Sequence, residues 1–162
     1  MIINFEKYHG TGNDFILIDD REKSFPEKDI ELIKHLCSQK FGIGSDGLML
    51  LRNSQQADFE MIFFNPDGSK SMCGNGSRCA VHFANKLGMC GEKGTFITTD
   101  GGHEFKILEK ELVSIQMRDV HHPEKHSGYW FLNTGSPHLI IPAEDVNKVD
   151  VVTTGRKYRN DA

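Results

Sequence analysis

The sequence lacks the features that mark several large classes of protein. It has no apolar run long enough to cross a bilayer and no segment resembling a signal peptide. With no basic stripe, no aromatic platform and a formal net charge of −4, the chain is not expected to bind nucleic acid, and the lack of a spanning run argues against a membrane partner. Its four cysteines show neither a disulfide-like pattern nor a paired metal-ligand spacing. These absences predict a cytoplasmic protein without a metal site.

What is present is enough for one ordinary hydrophobic core, since the chain has 162 residues. Alternating and continuous apolar runs predict strands, and two helical patterns lie between them, so the order of elements is mixed α+β. An Asp-Gly-Gly turn at 100–102 predicts a hairpin. The predicted strands are 4–8, 15–19, 48–51, 59–64, 95–99, 103–108 and 112–117, and the predicted helices are 26–39 and 75–87.

The most informative segment runs from Asn65 to Cys79 and places Cys73 on a glycine-rich turn where a helix should begin. Free N–H groups and the positive end of the helix dipole favour an anion there, such as a thiolate or a bound carboxylate. Gly74 and Gly76 leave room for a ligand to approach the backbone. A lone cysteine at such a position is more often a small buried hydrophobe, so the neighbouring motifs must decide between the two interpretations.

The other three cysteines are predicted to be structural. Cys79 falls on the apolar stripe of the helix, and Cys37 falls within an amphipathic run. Cys90 follows the helix stop signal at Gly88 and has no glycine turn of the Cys73 kind. Two further loops rich in glycine and polar residues, 9–15 and 41–47, are typical of the rim of a small-molecule site.

Four motifs, in this order and at this spacing, resemble those of diaminopimelate epimerase: His9-Gly-Thr-Gly-Asn-Asp-Phe15, Gly42-Ile-Gly-Ser-Asp-Gly-Leu48, Phe64-Asn-Pro-Asp-Gly-Ser69 and Met72-Cys-Gly-Asn-Gly-Ser-Arg-Cys79. The resemblance covers essentially the whole chain but only the first part of such an enzyme. It implies an epimerase that uses no pyridoxal cofactor and interconverts LL- and meso-diaminopimelate, in lysine and peptidoglycan precursor synthesis. It also implies two cysteines on opposite faces of the substrate α-carbon, and a sheet resembling a β-barrel that wraps a central helix.

The resemblance assigns roles to particular residues. Cys73 matches the first catalytic cysteine, and Gly74 and Asn75 match the positions whose backbone binds the reacting carboxylate. Asn13 and Asn65 match substrate-contacting amides, with a local turn as the alternative role for each. The segment 132–138 resembles a Gly-Asn-Pro-His element, so its histidine, His138, is expected to orient or deprotonate Cys73; taken alone, a histidine after Ser-Pro is more often a loop or surface residue.

Two departures from the family pattern affect the expected function. Ser136 stands where many members have a substrate-binding asparagine, and the second catalytic cysteine is absent from residues 1–162. The chain alone is therefore expected to be inactive. A racemase of another amino acid, such as histidine, stays open as an alternative. So does a non-catalytic half-protein. The expected partner is a small amino-acid substrate, with a homodimer as the candidate assembly.

Two domains are predicted, a first epimerase domain over 1–119 and an incomplete second domain over 120–162 that is similar to the first. Val120 to Gly128 is polar and contains a proline, so it is predicted to connect them. Segments 130–133 and 139–141 are predicted to be the opening strands of the second domain. The tail from Gly155 is charged and lacks an apolar face.

Overall fold

The computed structural model describes residues 2–109 and 111–160, and for Asn160 only the backbone. Met1, Lys110, Asp161 and Ala162, which the predicted domain ranges include, lie outside the described residues. The elements in chain order are β1 (Glu6–Gly10), β2 (Asn13–Asp19), α1 (Ile30–Cys37), β3 (Leu48–Arg52), β4 (Phe59–Phe64), α2 (Gly74–Lys86), β5 (Lys93–Thr98), β6 (Gly101–Glu109), β7 (Leu112–Ile115), β8 (Glu124–His126), β9 (Tyr129–Asn133), β10 (Pro137–Ile140), a 3-10 turn (Val146–Lys148) and α3 (Val151–Asn160).

The chain divides into two compact units. The first contains the residues up to Asp119 together with Thr134–Ser136, and the second contains Val120–Asn133 and the residues from Pro137 onward. Among the described residues, none of the helices combines the length and the apolar character needed to cross a bilayer.

The first unit is built on a seven-stranded mixed sheet in which β1 to β7 are neighbours in chain order. Strands β2 and β3 are parallel, as are β4 and β5, and the remaining neighbours are antiparallel. Parallel neighbours need a crossover connection, and α1 and α2 lie in these two connections. All five residues of β3 are buried, as expected for a strand covered on both faces.

Helix α2 lies against one face of this sheet and contacts both β1 and β7, the two edge strands. A sheet whose first and last strands both reach one helix must curl around it, so the predicted arrangement of a curled sheet around a central helix is confirmed. The buried side of α2 carries Ala80, Val81 and Phe83, which pack with residues of β2, β3 and β4. This burial fixes the axis of α2 and, with it, the position of its first turn.

Helix α1 covers the other face of the sheet through Ile33 and Cys37, so the predicted core position of Cys37 is confirmed. The predicted start of this helix near Pro26 is wrong. Asp29 is the N-cap and its carboxylate accepts from Leu32 N at 3.0 Å, so the preceding residues form a turn instead of a first helical turn. The helix ends at Cys37 because the glycine-rich loop that follows donates backbone N–H groups back to the carbonyls of Leu36 and Cys37.

The second unit contains a three-stranded antiparallel sheet in the order β10, β9, β8, followed by α3. The segment 120–128, predicted as a connection, contains β8, which pairs with β9 through a turn at Gly128 with φ of +87°. The charged tail, which lacks an apolar face in sequence, forms helix α3. It begins after Asp150, whose carboxylate accepts from Thr153 N at 3.0 Å and so supplies an N-terminal cap. The similarity of this unit to the first stays a prediction.

Candidate active site

The candidate site is built on the first turn of α2. Cys73 is the N-cap residue of this helix, with extended backbone angles of φ −134° and ψ 113°, which confirms the predicted helix start at the cysteine. Gly74 and Asn75 are the first two helical residues, and their N–H groups have no carbonyl four residues earlier within the helix to bind. The turn therefore presents amide donors beside a thiol, as the glycine pattern predicts.

The Cys73 sulfur has a hydrogen-bond partner for each of its protonation states. The amide N–H of Gly76 donates to Sγ at 3.5 Å, a contact that a thiolate can accept. On the other side, the thiol faces the side-chain oxygen of Asn13 at 3.9 Å, which can accept from S–H. A sulfur with both contacts is suited to a residue that alternately accepts and returns a proton.

Asn13 comes to this position through a tight hairpin between β1 and β2. The pair Gly10 and Asn13 closes a two-residue turn in which Thr11 and Gly12 have φ of 56° and 88°, as a type I′ turn requires. A Cβ added at Gly10 would lie 3.2 Å from the Asn75 Cβ, so the hairpin packs closely against the start of α2. The hairpin and the helix start are thereby brought together although 60 residues separate Asn13 from Cys73.

Asp46 fixes the orientation of the Asn13 amide. A carboxylate can only accept, so the Asn13 NH₂ group faces Asp46 Oδ2 at 2.7 Å and the amide oxygen faces Cys73. The side-chain nitrogen of Asn75 also donates to this Asn13 oxygen, at 3.5 Å. Asp46 lies in the Gly42–Leu48 motif, but nothing in that motif indicates its role. Its pairing with Asn13 spans 33 residues, which no local pattern indicates.

Two cationic side chains lie close to Asn13 and to the first turn of α2. Lys7 forms an ion pair with Asp14, and this contact lowers the pKa of the Asp14 carboxyl. The Arg78 guanidinium donates to the carbonyl of Gly74 at 2.9 Å, which adds positive charge beside the first turn of α2. Positive charge at a helix N-terminus favours an anionic ligand such as a carboxylate.

Asn65 is engaged in its own turn. Its side-chain nitrogen donates to the hydroxyls of Ser69 and Ser71, at 3.0 and 3.1 Å, and its backbone carbonyl accepts from Gly68 N at 2.9 Å. These contacts fit the local-turn role that the sequence left open. They also tie Asn65 to the segment that enters Cys73, and a contact of Asn65 with substrate stays a prediction.

His138 belongs to β10 of the second unit, where it pairs with Leu132 of β9. Its predicted action on Cys73 therefore stays a prediction. Within the described ranges, no group of three or more His, Cys, Asp or Glu side chains is placed to hold a metal ion.

The remaining thiols lie in apolar surroundings. Burial raises the pKa of Cys37, of Cys79 and of Cys90 to about 11 in each case. Cys79 packs in the main core cluster with Phe83, which confirms its predicted core position. Cys90 is half-buried beside the same cluster, with its sulfur 3.9 Å from the carbonyl of Val81.

The fold is shared with structurally characterised epimerases and racemases. A probable proline racemase from Agrobacterium radiobacter K84 has a TM-score of 0.64 and 17% identity, and the match covers 95% of this chain and 53% of that chain. A hydroxyproline epimerase from Agrobacterium vitis has a TM-score of 0.61 and 14% identity, with 94% and 53% covered. At these identities the likeness shows the fold alone.

Sequence relatives define the family. The profile described as diaminopimelate epimerase matches residues 5–122. The diaminopimelate epimerase of Flavobacterium psychrophilum is 50% identical over 94% of this chain, and that of Aquifex aeolicus is 38% identical over 97%. The chain belongs to the diaminopimelate epimerase family, and it spans 60% and 63% of the length of these two relatives.

Proposed function

We propose that the chain forms the Cys73 half of an enzyme that interconverts LL- and meso-diaminopimelate without a cofactor, on the route to lysine and peptidoglycan precursors. The observation that carries the proposal is the placement of Cys73 as N-cap of α2 between the Gly76 amide and the Asn13 amide oxygen. The names of the sequence relatives support the choice of diaminopimelate over another amino acid. The free thiols fit a reducing cytoplasm.

The chemical problem is removal of a weakly acidic proton from the carbon next to a carboxylate. Charge develops on that carboxylate in the transition state, so donors aimed at it accelerate the reaction. The backbone N–H groups of Gly74 and Asn75 are the donors proposed for this role, with the dipole of α2 and the Arg78 guanidinium adding positive potential. The carboxylate would thus lie beside the sulfur that takes the proton.

In the proposed cycle, the Cys73 thiolate removes the α-proton on one face of the carbon and becomes a thiol. A second cysteine, which the family pattern places outside residues 1–162, delivers a proton to the opposite face. In the reverse direction the Cys73 thiol is the donor. The Gly76 amide is the partner of the thiolate and the Asn13 oxygen is the partner of the thiol, so each state of the cycle is supported.

Kinetics on a full-length enzyme that carries this sequence would test the assignment. Cys73→Ala is expected to abolish epimerisation of both stereoisomers, and Cys73→Ser to leave at most a trace, because a hydroxyl carries protons poorly near neutral pH. Cys90→Ala is the matched control, since Cys90 is half-buried at a distance in sequence from the glycine turn, and it should stay near wild type. Near-normal turnover by the Cys73→Ala enzyme would reject the proposal.

A further inference from the structure

Ser136 makes a hydrogen bond to the residue that precedes the candidate base. Its hydroxyl donates to the backbone carbonyl of Met72 at 2.6 Å, and both residues belong to the first unit. A serine hydroxyl has a single hydrogen, so this contact uses its only donor. Ser136 stands where many family members have a substrate-binding asparagine, and in this structure its hydroxyl donates to the backbone.

The turn that carries Ser136 is closely packed at this place. Gly135 has φ of +102°, and a Cβ added there would lie 2.7 Å from Asp100 Oδ2 and 3.1 Å from the Met72 Cβ. Only glycine fits this conformation and this space without movement of its neighbours. Asp100 is itself held by a 2.9 Å contact of its Oδ1 with His103 Nε2, while His103 Nδ1 lies 2.9 Å from the carbonyl of Gln116.

The Met72 carbonyl lies in the same planar peptide group as the Cys73 N–H. The Met72 side chain is anchored in the main core cluster at 3% exposure, so the hydroxyl of Ser136 fixes the remaining freedom of this peptide. Holding this plane fixes the direction of the N–Cα bond of Cys73, whose sulfur lies 3.5 Å from Gly76 N in the first turn of α2.

We infer that Ser136 is a positioning residue for Cys73, acting through the Met72 carbonyl and not through contact with the substrate. This inference rests on the proposed role of Cys73. It makes a distinction that can be measured: a positioning residue changes the rate of the chemical step, whereas a substrate-contacting residue changes binding. A displacement of the base by a fraction of an ångström is enough to slow proton transfer.

The test uses the full-length enzyme with Ser136→Ala, Ser136→Thr and, as a matched control, Ser114→Ala on the exposed side of β7. Loss of one hydrogen bond of this kind corresponds to roughly a fivefold to tenfold effect. We expect Ser136→Ala to lower kcat by about this factor with KM within twofold of wild type. Threonine, which keeps the hydroxyl, should restore kcat, and Ser114→Ala should have no effect.

Hydrogen exchange supplies a readout that does not depend on activity. The amides of Gly76 and Ser77 bond to the sulfur and the carbonyl of Cys73, so Ser136→Ala should speed their exchange while the amides of β3 stay protected. A raised KM at unchanged kcat, or wild-type exchange at Gly76 and Ser77, would overturn the inference. Failure of the Cys73 assignment itself would show separately, as activity retained by Cys73→Ala.

Discussion

Alkylation of the folded protein should label Cys73 well before the other three cysteines. The reactive form is the thiolate, and burial raises the pKa of Cys37, Cys79 and Cys90 to about 11. At pH 8 each of these thiols is then only about 0.1% ionised, compared with about a quarter for a free cysteine of pKa ~8.5. Ionisation alone therefore slows the three by a factor on the order of 200 relative to a free thiol.

Cys73 differs from them in lying at a helix N-terminus with an amide donor at its sulfur, and it is partly exposed. We expect it to react at least about tenfold faster than any other cysteine at pH 8. Iodoacetamide labelling followed by mass mapping of the peptides measures the four rates. Between pH 8 and pH 10 the three slow rates should rise about tenfold per unit of pH, since their pKa values lie above this range.

Two controls define the result. In urea all four cysteines should label at similar rates, because the burial that separates them is lost. In the Cys73→Ala protein the fast phase should disappear while the slow phases stay unchanged. Similar labelling of all four cysteines in a sample shown to be folded would refute the reasoning.

Three variants and the isolated chain give further predictions. Asp46→Ala should lower kcat about tenfold by freeing the Asn13 amide to turn its NH₂ toward Cys73, and an unchanged kcat would contradict this role. The Asp20 carboxylate is 1% exposed and lies 2.7 Å from the Arg52 guanidinium. Arg52→Met should therefore lower the free energy of unfolding by about 3–5 kcal/mol, because it leaves this buried carboxylate without its cation. Urea unfolding measures this, and a loss under about 1 kcal/mol would contradict it. Burial raises the pKa of the folded Cys37 thiol from 9.0 to about 11, so this thiol contributes stability below pH 9 that is lost between pH 9 and 11. Cys37→Val should reduce this loss of stability, as measured by thermal unfolding scans at several pH values. A loss identical to that of wild type would contradict the prediction. The polypeptide of residues 1–162 alone should not invert LL-diaminopimelate, because the proposed cycle needs a second cysteine that the family pattern places outside these residues; catalytic inversion would contradict the proposed two-base cycle.

The parts of the structure that local pattern determines could be predicted from the sequence. The start of α2 at Cys73 follows from a glycine-rich turn before a helical apolar stripe, and burial of that stripe under the sheet agrees with the pattern. The core positions of Cys37 and Cys79 follow in the same way. The β5–β6 hairpin was also predicted, with the turn now located at 99–100.

The parts that depend on caps or on distant contacts could not be predicted in this way. The start of α1 is set by the Asp29 cap, which a stripe of apolar residues does not indicate. Helix α3 likewise depends on the cap at Asp150. The contacts of Asp46 with Asn13 and of Ser136 with Met72 join residues 33 and 64 positions apart, so they become visible only in the folded chain.

The most direct test of the central claim is the fate of the α-hydrogen in deuterium oxide. If Cys73 exchanges the proton on one face of the substrate α-carbon, the full-length Cys73→Ala enzyme retains at most the base that acts on the opposite face. Incubating it separately with LL- and meso-diaminopimelate, and measuring α-deuterium by mass spectrometry, should show any remaining exchange from only one stereoisomer and no inversion. Deuterium incorporation from both stereoisomers at the wild-type rate would contradict the account.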